Sequence, residues 1–424
     1  MTRRIYTFLL WLLLPWALLH LLWRSRRQTE YLRHWGERFA HYNRQADQPL
    51  IWIHAVSVGE TRAAQPLIKA LRKKYPAHRI LLTQTTPTGR QTGIELFGDT
   101  VERIYFAYDF PGAAKRFLDH WRPEFGLIME TELWPNVIAE CKARRIPLML
   151  VNGRLSEKSA RRYAGFAALT REAFNNLAGV AAQTDGDARR LAALGAQNVA
   201  VLGNLKFDIT PPPEQLELGA RFRQMLGTRR VLLCASTREG EEALILDAWV
   251  RSPLPDVLLV MVPRHPQRVE DVAGLVGLRC LKLQRRSSNH AVEADTQVWL
   301  GDSMGEMFAY YAACDVAFVG GSLIDHGGQN LIEPCAVGRP VLIGPSTFNF
   351  ARAADDAVAA GACRRVGNAD EMIAATATLL EDAQLRKQME QNALAFAGAH
   401  RGATARTMAW IDSVIPSKEG IQRL

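Results

Sequence analysis

Two runs of alternating apolar strands and amphipathic helices, separated by Pro211-Pro212-Pro213, constrain this chain more than any other feature. In the first run, segments 50–55, 79–84, 103–107, 125–130, 147–152 and 179–183 read as strands. Helical periodicity fills the intervals, as at 60–75 and 160–177. The pattern restarts after the prolines, with strands expected at 230–235, 256–262, 278–283, 297–300, 315–319 and 340–343. Strands that alternate with helices pair in parallel, because each crossover helix returns the chain to the same edge. The fold class expected is therefore α/β, two doubly wound Rossmann-like domains joined by a proline hinge. At 424 residues the chain exceeds one usual core, which agrees. The expected division is 1–27, 28–208 and 209–424, with helices at 382–397 and 403–414 that could cross back onto the first domain. Ligands of such folds sit outside the carboxyl ends of the strands, so the cleft between the domains is the expected site.

The segment from Ile5 to Trp23 is apolar apart from Thr7, Pro15 and His20, and is close to the ~20 residues that span a bilayer. No small-residue cleavage site follows it, since Trp23 runs into Arg24-Ser25-Arg26-Arg27. A signal anchor or a deeply embedded interfacial helix is expected, with Trp11, Trp16 and Trp23 as interfacial residues. Arg24, Arg26, Arg27, Arg33 and Arg38 outnumber Arg3 and Arg4, which puts the rest of the chain on the cytosolic side of a membrane.

A formal net charge of +9 calls for an anionic partner: nucleic acid, a membrane face or a phosphorylated substrate. No stacking-aromatic motif or dense basic helix supports nucleic acid. The six cysteines are scattered without metal-ligand spacing and read as reduced thiols. Asp185-Gly186-Asp187 opens a helix and is explained by turn and cap chemistry, so no metal is expected.

Chemistry-bearing residues gather where strands end. Asp315–Val319 runs into Gly320-Gly321, then Gly327-Gly328 and Gln329-Asn330-Leu331-Ile332-Glu333, read as a helix start. Such a loop brings backbone N–H groups near an anion, while Glu333 can accept paired ribose hydroxyls. Ser57-Val58-Gly59-Glu60 admits two readings. It is a capping box, with Ser57 as N-cap and Glu60 at N3, or it presents Glu60 as a general base kept ionised by the helix N-terminus. The spacing recurs at Ser236/Glu239 and Ser303/Glu306. Glu130 and Glu132 end another strand, and capping plus a surface ion pair competes there with a functional role. Lys206 can meet an anion or stay solvated. Arg264, with His265 and Arg268 after it, suits two-point binding of phosphate or carboxylate.

Taken in order, the apolar N-terminus, His54-Ala-Val-Ser-Val-Gly-Glu60, Glu130-Thr-Glu-Leu-Trp-Pro-Asn136, Gly203-Asn-Leu-Lys206, Pro263-Arg-His265, Gly301-Asp-Ser-Met-Gly-Glu306 and the glycine block through Pro334 resemble the bacterial Kdo (3-deoxy-D-manno-octulosonic acid) transferases of lipopolysaccharide synthesis. The resemblance spans nearly the whole chain. It implies a GT-B fold and inverting, metal-independent transfer of Kdo from CMP-Kdo to a lipid A precursor, lipid IVA. It also implies roles: Glu60 as the base, Glu130 or Glu132 on the acceptor side, and Lys206 and Arg264 on the donor's phosphate or carboxylate. Met304, Asn330 and Glu333 would contact CMP, together with the loop glycines Gly320, Gly321 and Gly328. The chain departs from the family at Gln329 and Leu331, where His and Pro are frequent. Two rivals fit the same residues less well. A nucleotide-sugar epimerase would have no use for an anchor, and a membrane-tethered nucleotide-binding protein would leave Glu60 a cap alone.

Overall fold

The computed structural model describes residues 1–25, 33–42 and 48–415. The chain folds into two compact units: 1–208 together with the segment from Gly402, and Ile209–Arg401. Each is built on a seven-stranded, all-parallel sheet.

In the first unit the strands are β1 (Leu50–His54), β2 (Arg79–Gln84), β3 (Glu102–Tyr105), β4 (Phe125–Met129), β5 (Leu148–Gly153), β6 (Gly179–Ala182) and β7 (Val199–Val201). Their order is β3-β2-β1-β4-β5-β6-β7, so the sheet reverses its winding between β1 and β4. Ile51 pairs with Phe125 and His54 with Ile128 across that junction. The central strands β1, β4, β5 and β6 are buried on both faces, as continuous apolar runs require. One face holds Trp52, Phe106, Phe117, Trp121 and Phe174. The other holds Ile51, Ile53, Leu67 and Leu71, and Ala403, Trp410 and Ile411 of the closing helix pack there. That helix, Ala403–Val414, thus belongs to the first unit. Gly126 on β4 lets two strands share the space around one indole, since a Cβ there would meet Trp52 and Leu148 at 2.7 and 2.6 Å.

The second unit comprises β8 (Arg230–Thr237), β9 (Val257–Pro263), β10 (Leu283–Arg285), β11 (Val298–Leu300), β12 (Val316–Val319), β13 (Val341–Ile343) and β14 (Cys363–Arg365). The order β10-β11-β9-β8-β12-β13-β14 reverses between β8 and β12. Pro213 occupies the first turn of helix Pro213–Leu226, where its missing N–H costs nothing.

Several expectations shift. Strands β7 and β14, three residues each at sheet edges, had no sequence counterpart. The strand expected at 278–283 forms only from Leu283. The helix expected over 160–177 is two, Glu157–Ala164 and Ala167–Asn176, broken at Gly165-Phe166. Five of the six cysteines are buried thiols, and Cys280 is exposed. No group of metal-ligating side chains occurs among the described residues. Thr184 caps this helix, accepting the Asp187 N–H at 3.2 Å, and the Asp187 carboxylate accepts the Leu155 N–H at 2.9 Å, so the cap comes from the residue before the Asp-Gly-Asp run.

The N-terminal helix, Arg3–Ser25, is apolar and long enough for a membrane span. Arg38, counted among the flanking charges, is instead buried, its guanidinium on the Thr85 carbonyl and 4.2 Å from the Tyr105 ring centroid. Arg26 and Arg27 lie outside the described residues.

Candidate active site

In the first unit, chemistry collects where β1 and β4 end, the two strands flanking the reversal of winding. Adjacent crossovers leave there in opposite directions, which opens a crevice at the strand ends. β1 leads through Ala55-Val56 into helix Val58–Lys74, and Ser57 is its N-cap, accepting the Glu60 N–H at 3.3 Å. The Glu60 carboxylate turns back, accepting from Val56 N at 2.7 Å and from Ser57 Oγ at 2.8 Å. The capping reading of this spacing is therefore real. It does not recur. At Ser236 the backbone takes a positive φ of 56° and the next helix starts only at Glu241. At Ser303 the helix starts after Glu306.

Glu60 is only partly exposed, and burial raises its pKa above the usual carboxylate value. Its bonds from Ser57 and Val56 oppose that shift, Glu130 adds to it and Lys206 lowers it. The donors at the helix terminus favour the ionised carboxylate, and desolvation opposes them with the larger effect. Glu132 is pushed up to about 7, by burial first and then by the charges of Glu60 and Glu130. Three carboxylates share one site with one ammonium group.

That ammonium is Lys206, whose Nζ lies 2.8 Å from Glu130 Oε1. Glu130 sits in the left-handed region, φ 56°, while its N–H still pairs with Val151 O on β5. This bend ends β4. Lys206 rides on a short turn, Leu205–Phe207, pinned from below: Asn152 Oδ1 accepts the Leu205 N–H at 3.0 Å, and Asn204 Oδ1 accepts that of Lys206 at 2.9 Å. Asn152 is a positioning group the sequence did not mark. Along helix Val58–Lys74, Arg62, Lys69, Arg72 and Lys73 are exposed cations. Arg90 is paired with Glu37 at 3.0 Å and Lys74 with Asp412, so these two serve the fold.

In the second unit the equivalent reversal lies between β8 and β12, and the glycine block follows β12. Its N–H groups do point one way, but toward a side chain. Glu241, fully buried, accepts from Gly321 N, Ser322 N at 2.9 Å and Leu323 N at 2.9 Å, and from Arg238 N at 3.0 Å. The expected phosphate cradle at Gly320-Gly321 is thus filled by an internal carboxylate. Gly320 is glycine because a Cβ would sit 2.7 Å from Ser236 O and Thr237 Cα. Gly321 and Gly328 have positive φ, 68° and 74°, and the Gly328 N–H closes the loop on Gly321 O. Glu239, which shares the Ser-x-x-Glu spacing, is exposed. The sequence signal for the buried carboxylate is the acid pair Glu241-Glu242 opening a helix beside a parallel strand end.

The other expected donor residues also lie at or beyond strand ends of this sheet. Arg264 follows β9, its N–H bonded to Thr237 O at 2.9 Å. Met304 follows β11 and is 59% exposed, a large apolar group open to a ligand. Asn330 Nδ2 donates to Glu333 Oε1 at 3.1 Å and its Oδ1 accepts the Ile332 N–H at 3.1 Å, just ahead of a helix that starts at Ile332, later than expected.

A family model described as 3-deoxy-D-manno-octulosonic-acid transferase (kdotransferase) matches residues 33–209, and one for glycosyl transferases group 1 matches 255–396. The chain is 43% identical to the 3-deoxy-D-manno-octulosonic acid transferase of Bordetella pertussis, over 96% of this chain and 98% of that one. The chain belongs to the Kdo transferase family. The corresponding transferase of Haemophilus influenzae is 38% identical over 82% of this chain and 84% of its own length. Among solved structures, UDP-GlcNAc 2-epimerase from Neisseria meningitidis bound to UDP-GlcNAc superposes on 86% of this chain with a TM-score of 0.54 at 15% identity. That likeness shows the GT-B type fold. The two family models and the Bordetella relative make the chain a glycosyltransferase, and with the epimerase it shares architecture but little sequence.

Proposed function

We propose that this transferase moves Kdo from CMP-Kdo to a lipid A precursor of the lipid IVA type, with Glu60 as the general base. The observation that carries the reading is the Glu60 carboxylate itself, held by two donors at a helix N-terminus, with a raised pKa, in a group of acids at the winding reversal. In the reaction, Glu60 takes the proton of an acceptor hydroxyl. The oxygen so activated forms a bond to the anomeric carbon of Kdo from the face opposite CMP. The bond from that carbon to the phosphate oxygen breaks, CMP leaves with the electron pair, and the configuration inverts.

Glu130 and Glu132 line the acceptor side. Lys206, already paired with Glu130, and Arg264 offer cations to the donor's carboxylate or phosphate. Met304, Asn330 and Glu333 contact the CMP moiety, Glu333 at the ribose. With a single phosphate on the leaving group, side-chain cations and backbone dipoles suffice without a metal ion. The acceptor is an anionic lipid, which suits the net charge of +9 and a protein held on the cytoplasmic face of the inner membrane by its apolar N-terminal helix.

Purified protein incubated with CMP-Kdo and tetraacylated lipid A precursor in detergent, with and without EDTA, tests this by mass spectrometry. Addition of whole Kdo masses, unchanged by EDTA, is the expected result, and it counts the sugars added. Absence of product from protein that still binds CMP would return Glu60 to a capping role and favour a tethered nucleotide-binding protein.

A further inference from the structure

We infer that the N-terminal helix lies in the plane of the membrane surface and does not cross the bilayer. The inference rests on the membrane placement proposed above and decides between its two forms. Length does not discriminate: 23 residues rise about 35 Å as a helix, enough to cross or to lie flat. The sides of the helix do.

One stripe is committed to the first unit. Arg3 Nε lies 3.0 Å from a Glu172 carboxylate oxygen, Tyr6 donates to Asp109 Oδ2 at 3.1 Å, and Thr7 donates to Asn136 Oδ1 at 3.1 Å. Leu10 and Leu14 then pack on the cluster containing Phe117 and Trp121. Leu21, two turns further on, is only 8% exposed. Spacings of three, four and seven residues keep this stripe on one side for the full length of the helix. Asp109 is itself fixed, accepting the N–H groups of Asn136 and Val137 at 3.0 and 2.9 Å.

The opposite side is open. Phe8, Leu12, Trp16, Leu19 and Trp23 recur at spacings of four, four, three and four and are 67, 66, 65, 66 and 54% exposed. At 100° per residue this stripe lies across the helix axis from the covered one. No Asp, Glu, Lys or Arg interrupts Ile5–Trp23, so the open side is a continuous apolar strip that water solvates poorly.

A crossing helix cannot keep both arrangements. Its first turns would leave the membrane on the far side, yet Arg3, Tyr6 and Thr7 are bonded to the same unit that the chain re-enters by Trp35–Phe39. The tryptophans agree. Trp11 and Trp16 flank the helix midpoint, where a crossing helix would bury their indole N–H groups in hydrocarbon. Lying flat, the same rings sit at the interface they favour. The occupant of the open side is therefore the headgroup–acyl boundary of a lipid bilayer.

The test uses two thiols in the full chain. Cys280, exposed in the second unit, reports the side of the globular body. A Thr2→Cys, Cys280→Ser variant reports the amino end of the helix. Each is treated with a membrane-impermeant maleimide in inside-out vesicles and in intact spheroplasts, with detergent-treated samples showing that both thiols react. Cys280 labelled only in inside-out vesicles, with no labelling of the residue 2 thiol in spheroplasts, is the expected result. Labelling of that thiol in spheroplasts would overturn the inference and establish a crossing helix. Protein that does not sediment with vesicles at all would overturn the membrane placement, and this inference with it.

Discussion

Lys206 Nζ and Glu130 Oε1, 2.8 Å apart, join two chain segments separated by 76 positions at the carboxyl edge of one sheet. Both side chains keep about a quarter of their surface exposed, so the pair is neither a surface ornament nor a sealed core contact. An ammonium group held among three carboxylates by one bond can turn toward an incoming anion without leaving an unpaired charge in a dry core. This arrangement suits a site that must bind a sugar acid between turnovers.

From that pairing, Lys206→Ala and Glu130→Ala are each expected to lower kcat/KM by roughly 10- to 100-fold. The double variant should lose less than the product of the two, with a coupling of about 1 kcal/mol or more. A double-mutant cycle on steady-state kinetics measures it. Strict additivity would mean that the two residues act apart.

Glu132 sets a pH signature. Its carboxyl titrates near 7 in the folded chain, above its ordinary value of 4.5, so folding favours the protonated form. The sign follows: the contribution is most favourable below about 4.5, declines as pH rises toward 7, and is fully lost above. Glu132→Gln should therefore stabilise the first unit by roughly 1–3 kcal/mol at pH 8, with the difference fading toward pH 4.5. Urea unfolding at several pH values checks it. Asp109 has a raised pKa of the same sign, also through burial, so part of the wild-type slope should persist in the variant.

Glu241 makes a claim about the glycine block. Its removal in Glu241→Ala strands four backbone N–H groups, those of Arg238, Gly321, Ser322 and Leu323. A loss of roughly 3–5 kcal/mol in the unfolding of the second unit is expected, with weakened CMP binding. Glu241→Gln keeps one acceptor oxygen and should lose less. Calorimetric titration with CMP and denaturant unfolding report the two effects separately.

The fold was legible because parallel α/β sheets announce themselves as apolar runs alternating with amphipathic helices. The edge strands β7 and β14 escaped because three residues carry no periodicity, and each is stabilised by one neighbouring strand. Site residues were legible where chain order alone places them, as with Glu60 and Glu130 at the ends of β1 and β4. Lys206 was legible as a cation but not as Glu130's partner, because that contact depends on how the end of β4 and the turn after β7 are brought together, with Asn152 of β5 holding the turn. The glycine block misled for a related reason. Its N–H groups were rightly read as converging on an anion, but the anion is Glu241, about 80 residues earlier in the chain. Local sequence shows the donors and not who occupies them.

The Glu60 carboxylate is both a cap and the proposed base. Glu60→Gln separates these roles, because the amide keeps an acceptor oxygen for the helix end but takes no proton at neutral pH. We would measure the transfer rate of Glu60→Gln from CMP-Kdo to the lipid acceptor beside its melting temperature. A fall in kcat of about 10²–10⁴-fold is expected, with CMP affinity retained and little change in melting temperature. Near-normal transfer by a stably folded Glu60→Gln protein would contradict the base role.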